Sequence, residues 1–327
     1  MTATPLPGVP GELRCEAVAG QPGVRGTGIR TIVLALCTAI ALVGAACGSD
    51  DQSSAPETLR IAAIPDQEPE RLARTYGLVS DYLSEALDLP VEYVPVTDYP
   101  AAVNLFRTGD LDLVWYGAVT GVQARLETPG ATVIAQRDID AEFRSVFIAN
   151  TDASIEPFDS VEDLTALEGT RFTFGSESST SSRMMPQFFL GEAGVELEAF
   201  DGEVGFAGSH DAVLALVESG SFETGTLAEA VWLSRLEEGA FDSTQVELLF
   251  TTPPYGNYHW LLHPDAPDRF GEDVEKRVRS ALLALSADDP DEAEILELFE
   301  AGAFIESDAS FYDTTEQIGR ELGVITD

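Results

Sequence analysis

Short apolar runs alternate along this chain with segments of helical periodicity, and few folds accommodate that order. The runs are "LRIAAIP" (59–65), "VEYVPV" (91–96), "LDLVWYG" (111–117), "ATVIAQ" (131–136), "SVFIAN" (145–150), "RFTFGS" (171–176) and "VELLFTTPP" (246–254). Between the first two, Glu70 to Leu87 carries Leu72, Tyr76, Val79, Tyr82, Leu83 and Ala86, the spacing of one helix face. Asp211 to Val217, Ala228 to Leu236 and Asp273 to Leu285 repeat that spacing. The alternation predicts an α/β protein with mainly parallel sheets. Two α/β lobes are expected, residues 57–147 and 148–255, with 256–327 returning to the first lobe. The tail beyond Pro264 reads as nearly all helical, without a strand of its own. Two crossings between lobes make a hinge and a central cleft. In open α/β sheets ligands bind outside the C-terminal ends of strands, which here face that cleft.

Charge narrows the partners. The chain has 327 residues and a formal net charge of −39, from 18 basic and 57 acidic residues, with Lys276 the sole lysine. Phosphate-backbone recognition needs clustered Lys and Arg, so a nucleic-acid partner is excluded. At the N-terminus, Arg25 and Arg30 precede the apolar stretch Thr31 to Ala46, the pattern of a secretory signal over residues 1–46. Gly44-Ala45-Ala46-Cys47 resembles a bacterial lipobox, which implies lipidation of Cys47 and a membrane-held protein on the extracytoplasmic face. Residues 47–56 read as a lipidated, flexible tether. Cys15, Cys37 and Cys47 are the only cysteines, so the chain beyond Cys47 has no internal disulfide and no thiol nucleophile. His210, His259 and His263 lack metal-ligand spacing, and no metal or other cofactor is expected.

The densest polar feature is "GSESSTSSRMM", in which Ser178 to Ser182 are all Ser or Thr and stand between a strand and a helix. One hydroxyl suffices for a cap. A helix start also offers unpaired N–H groups and a positive dipole end, so Ser179, Thr180 and Ser181, with Ser178 behind them, suit a tetrahedral oxyanion. No G-x-S-x-G elbow is present, which removes a serine nucleophile. Other polar residues follow strand ends in the same way: Asp98 and Tyr99, Tyr116, Ser209 and His210, and Tyr255, Tyr258 and His259 where the chain returns between lobes.

"IAAIPDQEPERL", "VEYVPVTDYPAAVNLFRTGDLDLVWYG", "GSESSTSS" and "VGFAGSHDAVLALVESG" together resemble the PhnD-like periplasmic substrate-binding proteins of ABC transporters, across about residues 58–265. The resemblance implies a type II periplasmic binding protein: a monomer that captures a small oxyanion between its lobes and delivers it to permease and ATPase subunits. It implies anion contacts at Tyr116, Ser179, Thr180, Ser181 and His210, with Tyr99 over the ligand's substituent. Asp98, Ser178 and Tyr255 are secondary candidates. "VPVTDYPAAV", "GVQARLETPGA" and "AQRDIDAEFRSVFIAN" are similar to the branch described as selenate-transporter binding proteins. Arg183 stands where the family often has glycine. The second-lobe carboxylate of phosphonate binders has only Glu223 and Glu229 as counterparts. An enzyme or sensor domain on the same fold is the alternative, but no base, nucleophile and metal constellation accompanies it. Protonation separates the ligands: a phosphonate or phosphite monoanion carries an O–H that needs an acceptor, whereas selenate needs donors only. The sequence leaves both classes open.

Overall fold

The computed structural model describes residues 57–326. The strands are β1 (Leu59–Ala63), β2 (Val91–Tyr93), β3 (Leu113–Tyr116), β4 (Thr132–Arg137), β5 (Ser145–Asn150), β6 (Phe172–Phe174), β7 (Gly205–Phe206), β8 (Thr224–Ala228), β9 (Val246–Thr251), β10 (His259–Leu262) and β11 (Phe304–Glu306). The α-helices are α1 (Pro69–Leu87), α2 (Tyr99–Arg107), α3 (Ala118–Glu127), α4 (Met185–Glu192), α5 (His210–Glu218), α6 (Glu229–Glu238), α7 (Ala266–Phe270), α8 (Val274–Ala284), α9 (Pro290–Leu298) and α10 (Asp313–Glu321). One sheet has the order β11-β4-β10-β3-β1-β2 and the other β7-β6-β8-β5-β9. Each sheet forms the centre of an α/β lobe.

The expectation of mainly parallel sheets needs correction, because both sheets are mixed. β1 runs parallel to β2 and β3, and β6 to β7 and β8, as βα crossovers require. β10 is antiparallel to both β3 and β4, and β5 to both β8 and β9. These two strands follow the crossings between lobes and enter their sheets from the opposite end. The tail is not strandless either. β11 pairs antiparallel with β4, and at three residues it is too short to leave a periodic signal.

Local sequence explains the helices that frame the cleft. α1 starts at Pro69, which needs no N–H partner there, and buries Leu72, Tyr76, Val79 and Leu83 on one face. α2 is capped by Asp98, whose carboxylate accepts the Ala101 N–H at 2.7 Å. The crossings meet at a bridge between Phe143 and Tyr255, with reciprocal N–H···O bonds of 2.9 Å. Beside it, Arg137 Nε and Nη2 each donate to Asp140 at 2.8 Å, and both side chains are buried. Asp140 also accepts the Tyr258 N–H (3.3 Å), and its carbonyl accepts the Asn257 N–H (3.1 Å). One buried ion pair thus ties both crossing segments together.

Candidate functional site

The serine run opens with a π-helical turn, Thr180–Met184, that continues into α4. Ser179 is the cap: its hydroxyl accepts the Ser182 N–H at 3.2 Å. The N–H groups of Thr180 and Ser181 lie in the first turn, where no intrahelical acceptor exists. Ser181 is fully buried and its hydroxyl has no partner, while its carbonyl accepts from Ser145 Oγ at 2.5 Å. Ser182 Oγ is also unpartnered, but it lies against Gly175, where a β-carbon would overlap it. Ser178 is half-buried one residue before the cap, its N–H on Ser176 Oγ at 3.3 Å.

From the other lobe, the start of α3 meets this turn. The Val119 N–H donates to Thr180 Oγ1 at 2.9 Å, and the Ala118 N–H to Asn257 Oδ1 at 3.2 Å. Gly117 permits the approach, since a β-carbon there would come to 3.2 Å from Thr180 Oγ1. The Thr180 hydroxyl therefore accepts from one lobe and keeps its own proton to donate. Asn257 is fully buried, and its Nδ2 has no partner.

Further contacts hold the lobes together along the cleft. The His210 N–H donates to the Asp66 carbonyl (2.9 Å), the Glu68 N–H to Asp211 Oδ2 (2.9 Å) and Arg235 Nη2 to Gln67 Oε1 (2.9 Å). At the rim, Arg71 Nη1 meets Glu238 at 2.8 Å.

His210 is fully buried, and burial lowers its pKa to about 4, so the ring is neutral. Its Nδ1 accepts the Ala228 N–H at 3.4 Å. The ring proton is then on Nε2, 3.3 Å from the Tyr258 hydroxyl, and His210 is a donor. Tyr99 is buried and its hydroxyl is directed to Ser179 across the cleft. Tyr258 stacks on Trp115 with centroids 5.6 Å apart, and the Arg137 guanidinium lies 4.9 Å from its ring.

Asp66 stands just beyond the C-terminal end of β1, 5% exposed. Burial raises its pKa to about 7, against the opposing pull of the Tyr258 hydroxyl and the Arg137 charge. It is the carboxyl of the cleft, and the sequence reading passed over it. The rule that found the other residues, a polar residue just past a strand end, also finds Asp66 when applied to β1. Glu223 and Glu229 do not take this place. Glu223 precedes β8, at the end opposite to Ala228 and His210, and accepts the Arg171 N–H at 2.8 Å. Glu229 begins α6 and lines an outer groove with Arg144.

Three expectations are corrected. Tyr116 faces away from the cleft, donating to the Ala102 carbonyl at 2.8 Å and packing on Phe106. Alternation along β3 turns Trp115 to the ligand side instead, where it stacks on Tyr258. Asp98 is exposed and is occupied as the cap of α2. The Tyr255 hydroxyl is shared with Ser145, and its ring packs on Phe143 at the hinge. The Arg183 guanidinium lies by the rings of Phe174 (4.8 Å) and Phe206 (5.6 Å), which stack on one another. The structure thus gathers Tyr99, Ser179, Thr180, Ser181 and His210 around one place, with Asp66, Tyr258 and Asn257 beside them.

Known proteins resemble this chain in sequence and in fold. A family model described as "ABC transporter, phosphonate, periplasmic substrate-binding protein" matches residues 61–312. The probable ABC transporter phosphite binding protein PhnD1 of Prochlorococcus marinus is 46% identical over 273 residues, covering 83% of this chain and 92% of that protein. The structure of PhnD1 in complex with methylphosphonate superposes with a TM-score of 0.81, over 83% of this chain and all of that one. The phosphate-import protein PhnD of Mycolicibacterium smegmatis is 28% identical over 202 residues, 57% of this chain and 61% of that protein.

Proposed function

The chain belongs to the phosphonate-binding family of periplasmic substrate-binding proteins of ABC transporters, and on that premise we propose that it captures a phosphite or short alkylphosphonate between its lobes. The family's members are binding components of importers rather than enzymes. Most of the gathered groups suit any tetrahedral oxyanion. The Thr180 and Ser181 hydroxyls, the N–H groups of the same two residues and His210 Nε2–H are all donors. The observation that carries the finer reading is Asp66, a buried carboxyl whose pKa burial raises to about 7 and which faces the Tyr258 hydroxyl that His210 Nε2 also meets at 3.3 Å. A phosphonate monoanion brings an O–H that ionised Asp66 accepts. The dianion meets Asp66 in its neutral form, as a donor. Ligand and Asp66 together hold one proton in either case. Selenate has no proton to give, so Asp66 must supply it, and binding weakens as pH rises past about 7. The methylphosphonate complex of PhnD1 supports the same ligand class.

Calorimetry of the purified protein with phosphite, methylphosphonate, sulfate and selenate at pH 6 and pH 8 tests this. Phosphite and methylphosphonate are expected to bind at both values, with selenate weakening about tenfold from pH 6 to pH 8 as Asp66 loses its proton; that ratio is about 1.4 kcal/mol. Selenate binding as tightly as methylphosphonate at pH 8 refutes the reading and favours the selenate-type ligand.

We further propose that the protein is a monomer held to the outer face of the membrane through a lipid on Cys47, which lies outside the described residues along with residues 1–46. The motive is Gly44-Ala45-Ala46-Cys47 at the end of the apolar run. Globomycin should block processing, and Cys47→Ser should release the protein from the membrane fraction. Lipid labelling that persists in Cys47→Ser removes the anchor, and a dimer in light scattering removes the monomer.

A further inference from the structure

Glu300 follows the C-terminal end of α9 with φ +56°. Glycine is the low-cost residue for that left-handed position at a helix end. Two backbone bonds close the turn, the Glu300 N–H on the Glu297 carbonyl (2.9 Å) and the Ala301 N–H on the Leu296 carbonyl (3.0 Å), but glycine would make it at lower cost, so the glutamate side chain is where a reason is to be sought. Its Oε1 is buried and has no hydrogen-bond partner. The side chain lines a cavity of about 20 Å³ together with Asp66, Arg137, Tyr258, Gln67 and Thr75. That is room for one water, and the lining supplies more than the two polar partners a buried water needs. Glu300, Arg71, Phe143 and Leu298 also line the outer groove of about 730 Å³ between α1, α6 and α9, so the small cavity adjoins a route to solvent.

We propose that Glu300 is a second carboxyl of the binding site: through one internal water in the shared cavity it forms with Asp66 the proton store that decides which charge state of the anion is held. The proposal rests on the reading of Asp66 given above. It makes Glu300 a positioning residue, acting on the ligand through Asp66.

The surrounding charges are consistent with this role. Asp66 faces Arg137 from β4, Glu300, and the phenols of Tyr76, Tyr93, Tyr99 and Tyr258. Glu300 faces Arg137, Arg235 and Arg71, with Asp211 opposing them, and burial raises its own pKa. The negative charge of Glu300 raises Asp66 further, while the Arg137 charge lowers both carboxyls. Below about pH 7 one proton on the pair is therefore more favourable than none. Because the cavity adjoins the outer groove, that proton can exchange with solvent while the lobes remain closed.

The test is a carboxyl-carbon NMR titration of ligand-free protein, with the Asp66 signal identified by its loss in Asp66→Asn. It is paired with the methylphosphonate Kd measured from pH 5 to 9. Glu300→Gln and Glu300→Gly should each lower the Asp66 midpoint by roughly one to two pH units, the effect of one charge about 6–10 Å away at an effective dielectric constant of about 20. The Kd profile should move with it. Glu300→Gly relieves the positive φ, so it decides the matter if Glu300→Gln does not fold. If Glu300 is only a helix terminator, Glu300→Gly raises Tm and leaves the Asp66 midpoint in place; that result overturns the proposal and spares the reading of Asp66. A wild-type Asp66 that titrates near pH 4, or a shifted Asp66 midpoint with an unmoved Kd profile, overturns both.

Discussion

Thr180→Val is the most informative single substitution, because one hydroxyl serves two partners. Valine keeps the shape and the branching at Cβ but removes the oxygen. In the closed arrangement, Thr180 Oγ1 accepts the Val119 N–H at 2.9 Å. Without it, closing the lobes buries that N–H with no acceptor, at a cost of about 1–3 kcal/mol. The hydroxyl proton, left free by this geometry, is also the proposed donor to the oxyanion, and a hydrogen bond to a charged group contributes about 1.5–3 kcal/mol. Both losses fall on the closed, liganded state, so they add to roughly 2.5–6 kcal/mol. At 1.4 kcal/mol for each factor of ten, Kd should rise by about 100-fold to 10,000-fold. Thr180→Ser keeps both functions and should remain within about threefold of wild type, under 0.7 kcal/mol. Titration calorimetry with methylphosphonate gives the affinities, and the melting temperature of ligand-free protein controls for folding. The bond to Val119 spans the cleft, so that melting temperature should hardly change. A Thr180→Val protein that melts normally and binds within threefold of wild type refutes both the interlobe bond and the anion contact.

The hinge and the cleft carboxyl give two further expectations. Asp140→Ala leaves Arg137 buried without its ion-pair partner, so urea denaturation should show a loss of about 3–5 kcal/mol; a loss below about 1 kcal/mol would mean that the pair is dispensable. Asp66 is raised to about 7, so its contribution to stability is present below its ordinary carboxylate range and is lost as pH rises through 7. Ligand-free Asp66→Asn should therefore gain stability relative to wild type as pH goes from 5 to 8, by up to a few kcal/mol. A difference in Tm between the two proteins that does not change with pH would place the Asp66 carboxyl in the ordinary range.

Much of the first lobe was legible because its elements are long or repeat cleanly. The 3.6-residue spacing of Leu72, Tyr76, Val79 and Leu83 is sufficient to specify α1, and hydroxyl density marked the turn at Thr180–Met184. Strand direction was not legible, because an apolar run reads the same in either orientation. β5 reads like the parallel strands of the molecule until its pairing is known, and β10, at four residues, was not read as a strand at all. Which residue of a strand faces the cleft was equally hidden at β3, where Leu113 to Tyr116 are all buried and no polar alternation marks a face. Tyr116 was assigned to the ligand from the family resemblance and its place at a strand end, and nothing in β3 itself spoke for Trp115. Asp66, Arg137 and Asp140 were obscured by composition. "IPDQ" and "QRDID" have the residues of solvated turns, and only the packing around them shows that they are buried.

The order of the sheets bears on how the chain comes to be folded at all. β5 to β9 come from one uninterrupted stretch, so their sheet can be completed without the rest of the chain. The other sheet is assembled from both ends of that stretch. β4 pairs only with β10 and β11, which follow it by more than a hundred residues, and β10 alone joins it to β3. Until those late strands arrive, β4 has no hydrogen-bonded neighbour, and its sheet stops at β3. Contacts so distant in sequence are slow to form. The half of the molecule that begins first in sequence is thus obliged to finish last, closed by a strand that ends at Glu306.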